Sequence, residues 1–351
     1  MPSEKNWRVT LFDRRFLPGL LDLLNRTGHS TDEERFLWEF EANPAGALNV
    51  HVALHQDRIV GVASHNVFRM WIDTQEHEIS FPLQVVTDPL YRGQGIFSEL
   101  ELACEDRASG LGYPCMLSFP NDASTPIFLN KLGWNRLEGP RYLLRPGRQM
   151  RVPEEVNAFK AVTEPLARLG GRVATLLEGM HRTSGFVMHE EQNFGPWADA
   201  LFEENKPHLD RCLVRDSTHL NWRYADKPGS LYRIFRFASG GETIGYIVLG
   251  KTLKRNLPFH YVASALFAPD HRGKYAISRR DALRGNNHAS AAGVLELSDS
   301  SLKESIRGLP WGFSPTPKKL HFIGKSLNPT GDVILGNQLP WRVQVGDLDF
   351  F

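Results

Sequence analysis

The sequence predicts an α/β (α+β) protein built from two related domains, and two observations carry that prediction. Over the first 145 residues, helical and antiparallel strand patterns lead into a glycine turn, a helix, a strand and a short helix. Further along, FAPDHRGKYAI at 267–277 echoes TDPLYRGQGIF at 87–97, with Pro, Arg and Gly in the same places at an offset of 180 (267 less 87). KLGW at 131–134 and PWGF at 310–313 repeat at nearly the same offset. Duplication is favoured over coincidence among common turn residues, and a chain of 351 residues suits two domains.

The elements follow in order. An apolar pattern predicts a helix over Phe16–Arg26, and Ser30-Thr31-Asp32-Glu33 is a capping run for a second helix through Trp38 and Phe40. VHVALH at 50–55 and IVGVASHNVF at 59–68 read as a hairpin of half-buried strands. A further strand pair is expected at Arg69–Asp73 and Glu78–Val86. FSELELACEDRASGLG supplies a helix with Leu100, Leu102, Ala103 and Ala108 on its buried side, CMLSF at 115–119 a strand, and PNDASTPIFLNKLGW a short helix ending at Gly133. Residues 151–204 are expected to form a helical connector between domains at 1–150 and 205–351. Strand patterns return at 231–238 and 243–250, and the closing LPWRVQVGDLDFF reads as a final strand with exposed Asp347 and Asp349.

Composition excludes several classes. With 41 basic and 40 acidic residues the net charge is +1, so no broad nucleic-acid footprint is expected. No stretch reaches the ~20 apolar residues of a membrane span. The N-terminus lacks the apolar core of a signal peptide, and a cytoplasmic location is expected. Cys104, Cys115 and Cys212 are too scattered for a disulfide framework or a zinc site. Cys104 and Cys115 are expected as packing residues. His51 and His55 share a strand face without further ligands in sequence, so no metal is expected.

VVTDPLYRGQGIFS at 85–98 carries the chemistry. A strand followed by a glycine turn and a helix aims free backbone N–H groups and the positive end of the helix dipole at one point, an anion site. Gly93 and Gly95 would admit a phosphate close to the backbone, and Arg92 adds charge. A plain surface turn explains the same fourteen residues about equally well. Gly93-Gln94-Gly95-Ile96-Phe97-Ser98 also approaches the G-x-G-x-x-G dinucleotide fingerprint, with Asp122 downstream. It lacks the last glycine, however, and follows antiparallel strands instead of opening a βαβ unit.

Val85 to Phe97 resembles motif A of the GNAT superfamily of acyl-CoA-dependent N-acyltransferases. In the loop pattern [Q/R]-x-x-G-x-[G/A], Arg92 and Gly95 match and Phe97 departs. Asn121-Asp122-Ala123 with Lys131-Leu132-Gly133-Trp134 is similar to the family's N-x-x-A…K-x-G-F segment. The resemblance covers residues 7–145 well and 205–351 more weakly. It implies two GNAT-like domains, each with a mixed, mostly antiparallel central sheet flanked by helices.

Acetyl-CoA or another acyl-CoA is the implied co-substrate, held by Val85, Val86, Thr87, Arg92, Gly93, Gln94, Gly95, Ile96, Phe97, Ser98 and Asn121. The implied partner is a small-molecule amine, with an amino sugar suggested by resemblance to tandem proteins. Peptide amines and a non-catalytic CoA-binding or scaffolding role are the rivals. The backbone N–H of Val86, or its neighbour Val85, would polarise the thioester carbonyl. Glu78 is the first candidate base, ahead of His77 and Asp122, although a straight strand puts it about 23 Å from Val85. Leu129 stands where many family members carry a proton-donating tyrosine. In the second half, Tyr275 takes the place of Gly95 and would hinder a pyrophosphate, so that domain is expected to have lost cofactor binding. HLNWRY at 219–224 resembles the entry to the second half of tandem proteins, where Trp222 and Arg223 suit packing better than an acceptor pocket.

Overall fold

The computed structural model describes residues 5–146, 185–229, 232–254, 257–284, 293–297, 314–337 and 339–348. They divide into two compact units. The first comprises Met1–Gly139, Asp226–Pro228 and His321–Leu339; the second comprises Pro140–Ala225, Gly229–Leu320 and Pro340–Phe351.

In the first unit, β1 (Arg8–Leu11) is followed by α1 (Leu17–Arg26) and α2 (Glu33–Phe40). Asp32 caps α2 by accepting from the Arg35 N–H, which is why the acidic run marks the helix start. β2 (Asn49–His55), β3 (Arg58–Ile72) and β4 (Gln75–Thr87) then form an antiparallel meander. The strands expected at 59–68 and 69–73 are one: β3 runs unbroken, its middle buried on both faces and its polar Ser64-His65-Asn66 stretch held inside the ladder to β4. The chain reverses at Asp73-Thr74, both with positive φ. Next come α3 (Ile96–Gly110), β5 (Cys115–Ser118), α4 (Thr125–Lys131) and β6 (Asn135–Arg136).

The strand Ile323–Ser326, some two hundred residues later in the chain, inserts antiparallel between β5 and β6. The order across the sheet is β1-β2-β3-β4-β5, then 323–326, then β6. Leu20, Leu23, Leu24, Phe36 and Phe40 of α1 and α2 bury one face against Val50, Val52, Val62 and Val86. Ile96, Leu100 and Cys104 of α3 bury the other against Ala53, Val60 and Ala63. Gly61 lets α3 approach closely, since a Cβ there would lie 2.7 Å from Ile96 Cγ2.

The second unit repeats this plan. Its strands follow the order Val187–Glu191, Arg233–Ser239, Glu242–Lys254, Leu257–Phe267, Gly293–Leu297, Arg141–Pro146 and Ser314–Lys319. All neighbours are antiparallel except Leu257–Phe267 and Gly293–Leu297, which are parallel as β4 and β5 are. In each sheet the sixth strand comes from outside the main run, 323–326 in the first and 141–146 in the second. The register of β4 on β3 skips Leu83, and that of Leu257–Phe267 skips Ala263, again 180 residues on (263 less 83). Such bulges re-aim the strand that carries them.

Residues 151–184 of the expected connector, the PWGF echo and Asp349 lie outside the described residues. From 185 on, Val187–Glu191 and the helix Pro196–Asn205 belong to the second unit. Asp347 is not the exposed carboxylate expected. It makes a two-pronged pair with Arg215, at 3.0 and 2.7 Å, inside the second unit. No described helix is long and apolar enough to cross a membrane.

Candidate functional site

The site begins where β4 loses a neighbour. The parallel ladder between β4 and β5 consists of Ser80 opposite Met116. Beyond Ser80 the strand stays paired to β3 as far as Thr87, with the bulge at Leu83 between. Asp88 N–H donates to Val60 O at 2.9 Å. Antiparallel alternation then turns the Val86 N–H toward β3, and the Val85 and Thr87 N–H groups toward the gap beside β5. The Val86 N–H, the first expected to polarise the carbonyl, is thus engaged in the ladder, whereas the Val85 N–H faces the gap.

The loop after β4 is built for close approach. Asp88 is buried and accepts the Leu90 N–H at 3.0 Å, Arg26 at 2.6 Å and Arg58 at 3.2 Å. Burial alone would raise its pKa; the Leu90 N–H and the two guanidinium groups outweigh that and hold the carboxyl below its usual range. A short 3-10 turn, Pro89–Tyr91, leads to Arg92 in extended conformation. Gly93 and Gly95 then take φ of 79° and 86°, and Gly95 starts α3 with no side-chain cap. A Cβ on either glycine would meet nothing within 4 Å, so the requirement is conformational, and the outer side of the loop is open. Arg92, Gly93, Gln94 and Gly95 are exposed. The Ile96, Phe97 and Ser98 N–H groups stand in the first turn, where an α-helix provides no internal acceptor. The geometry is that of an anion cradle.

Phe97, the departure from Gly/Ala, packs edge-on to Phe128 at 5.5 Å, and Phe128 meets Trp134 at 5.0 Å. The larger residue is thus absorbed by core packing, with the backbone left in place. Leu129 packs on the same cluster. Asn121 lies in the turn between β5 and α4. Its Oδ1 accepts from the Ala123 and Ser124 N–H groups at 3.0 and 2.9 Å, closing the turn that precedes α4.

The structure does not bring Glu78 to this loop. It is exposed, lies opposite Arg69 beside the β3–β4 hairpin, and its charge acts on Tyr113 just beyond the C-terminus of α3. The loop sits at the other end of that 15-residue helix, about 22 Å away at 1.5 Å per residue. Cys104 is buried 3.4 Å from His51 Nδ1, and burial pushes its thiol pKa well up, so it is a packing residue, not a nucleophile. Arg223 donates to Gly346 O and Leu348 O inside the second unit, at 2.9 and 3.0 Å.

Three arrangements have no signal in the sequence. His321 Nε2 lies 2.7 Å from Asp122 Oδ1, beyond the C-terminal end of β5, toward which the gap opens. Gln84 Nε2 donates to Glu39 Oε2 of α2 at 2.9 Å, on the face away from α3. His65 bridges Ser80 Oγ at 3.1 Å and Glu101 at 3.3 Å, fully buried beneath α3. The first and second join residues far apart in sequence that only the sheet order brings together.

The corresponding loop of the second unit is wound differently. Pro269–Lys274 is 3-10 helix running straight into the α-helix Tyr275–Arg284, and Tyr275 itself is right-handed. Gly273 is not among the glycines with positive φ. Tyr275 does not obstruct the loop by bulk: its ring is buried against Phe267 at 5.7 Å. The cradle is missing because the backbone never turns left-handed.

Residues 11–137 match the family model described as an acetyltransferase (GNAT) domain. Over this segment the chain is similar to GNAT acetyltransferase domains. The segment contains the β4 gap, the two left-handed glycines and the α3 N-terminus. No curated protein matches the chain in sequence. Among solved structures, a GCN5-related N-acetyltransferase from Anabaena variabilis aligns with a TM-score of 0.66 and 12% identity over 92% of this chain and 73% of that one. A GCN5-related N-acetyltransferase from Kribbella flavida aligns at 0.61 and 15%, over 94% and 73%. N-myristoyltransferase from Saccharomyces cerevisiae with bound myristoyl-CoA aligns at 0.60 and 12%, over 93% and 80%. At these identities the likeness establishes the fold across both units, while the sequence similarity to a GNAT domain is confined to residues 11–137.

Proposed function

We propose that the first unit holds an acyl-CoA, acetyl-CoA first among them, and transfers the acyl group to the amine of a small molecule, with amino sugars among the acceptors. The observation that carries this is the open edge of β4 ending at two left-handed glycines and an uncapped helix N-terminus. Pyrophosphate oxygens would accept from the N–H groups around Gly95–Ser98, with Arg92 supplying charge. The pantetheine arm would lie along the Val85–Thr87 edge. The Val85 N–H would then donate to the thioester oxygen as negative charge develops there. The amine forms the C–N bond, and the C–S electron pair leaves with sulfur.

Leu129 cannot protonate the departing thiolate. His321, paired with Asp122 beyond the C-terminal end of β5, could take that role, and a thiolate near neutral pH can also leave unassisted. A non-catalytic CoA-binding role is the second reading, favoured by the apolar packing of Leu129. Release of CoA thiol in the presence of amines separates the two. Turnover that falls in His321→Gln supports the assisted route, and acyl-CoA binding without thiol release supports the non-catalytic role.

A further inference from the structure

The Glu39–Gln84 contact extends this function to the acceptor. Gln84 directly precedes Val85, so their Cα atoms are about 3.8 Å apart, and its side chain projects to the face opposite α3. The bulge at Leu83 produces that placement: Leu83 packs with the α1–α2 core, and Gln84 falls on the same side, beside α2.

Glu39 is a buried carboxylate on a helix whose other buried residues are Phe36, Trp38 and Phe40. A carboxylate accepts hydrogen bonds and does not donate, so it fixes the Gln84 amide with its NH2 group toward Glu39. The amide oxygen is then turned away. Gln84 Oε1 is buried and has no hydrogen-bond donor in the structure. An acceptor buried without a donor costs about 1–3 kcal/mol, so its retention one residue from the proposed oxyanion donor needs an explanation.

We propose that Gln84 Oε1 receives an N–H of the acceptor amine, and that Glu39 is a positioning residue that keeps the amide in this orientation. The inference rests on the acyl-transfer function given above, and it names the ligand class as a primary ammonium or amine. The carboxylate behind the amide favours a cation over a neutral hydroxyl compound of the same shape. In the reaction, the amine nitrogen held by Gln84 forms the bond to the acyl carbon. The C–S bond breaks with its electron pair on sulfur. Of the two protons an ammonium loses in becoming an amide, one passes to solvent and one to the thiolate.

The test uses the full chain with n-butylamine and n-butanol as probes, read by saturation-transfer NMR without acyl-CoA. Acyl-CoA binding and steady-state kinetics are measured beside it on Gln84→Met, Glu39→Gln and Gln84→Glu. The native chain should prefer butylamine at least fivefold. Gln84→Met should abolish the preference, Glu39→Gln should weaken it by freeing the amide to flip, and Gln84→Glu, which shares a proton with Glu39 and keeps its other oxygen outward, should retain it. Acyl-CoA binding should persist in all three, with KM for the amine rising about tenfold in Gln84→Met and kcat changing less. A native chain without amine preference, or a folded Gln84→Met or Glu39→Gln that keeps it unchanged, overturns the proposal. Amine preference without any acyl-CoA binding would instead refute the acyl-transfer function and leave the amine subsite standing.

Discussion

Substituting alanine at Gly93 and Gly95 isolates what the loop contributes. Both glycines have φ near +80° and open space where a Cβ would go, so alanine introduces no clash, only the left-handed penalty of roughly 1–2 kcal/mol per residue. The loop from Arg92 to Gly95 is exposed, so the free protein should escape much of that penalty by relaxing. Re-forming the cradle would then draw on binding energy. Acetyl-CoA affinity should fall about 5- to 30-fold for each single substitution, with little change in Tm. Gly95→Tyr, which copies the second unit, should fall at least as far. Gly110→Ala is the control: this glycine ends α3, lacks positive φ and also faces open space, so affinity should be unchanged. Isothermal calorimetry on these four single variants and on the Gly93→Ala/Gly95→Ala double variant reads the effect directly. If the Gly93→Ala/Gly95→Ala double variant binds acetyl-CoA as the native chain does, the left-handed cradle is not the phosphate site.

Other consequences follow from burial and charge. Asp88→Asn keeps an acceptor for the Leu90 N–H but leaves Arg26 and Arg58 without their shared anion; urea denaturation should show a loss of roughly 3 kcal/mol, the low end for a buried pair because Arg58 is half exposed. Since the Asp88 pKa is depressed in the folded state, its contribution is present above the unfolded value and is lost as pH falls below about 4; an acid-melting profile should show that loss in the native chain and not in Asp88→Asn. Gly61→Ala should cost about 1–3 kcal/mol, because its Cβ must displace Ile96 and Leu100 at the start of α3, and it should weaken acyl-CoA binding with stability; unchanged urea midpoints would show that α3 has room to move. His51 is pushed down to about 4, mainly by burial, with His65 and Arg107 adding to it. The folded chain therefore holds it neutral while the unfolded chain protonates below about 6.5, so its contribution is full above that pH and declines as pH falls toward 4. His51→Phe should flatten the stability slope across that window, and an equal slope would place the acid sensitivity elsewhere.

What the sequence made legible was local. The Asp32 cap, the β2–β3 hairpin, the helix after Gly95 and the arrest of α4 before Gly133 all depend on neighbours within a few residues, so spacing was enough to find them. The 180-residue echo falls at similar places in the two sheets: Arg92 and Arg272 each follow a strand with a bulge, at Leu83 and Ala263, and the two bulges keep the same offset. It did not show that the second loop is wound right-handed, which depends on Tyr275 finding a core position against Phe267. Glu78 was favoured from its place on the right strand, but it occupies the wrong end, and distance along a strand is not visible in a motif. Gln84 with Glu39, and His321 with Asp122, escaped notice for a stronger reason. One pair depends on a one-residue bulge that turns a side chain toward α2, the other on a strand returning from 323–326 into the first sheet.

The central claim, that the first unit moves an acyl group from CoA to an amine, is tested most directly by incubating the full chain with acetyl-CoA and a panel of primary amines that includes glucosamine. Thiol release and product mass are then followed together. The account predicts one thiol released for each N-acetylated product, with both lost in the Gly93→Ala/Gly95→Ala variant. Binding of acetyl-CoA with no thiol released above the amine-free rate, for any amine or for longer acyl-CoA donors, would contradict it.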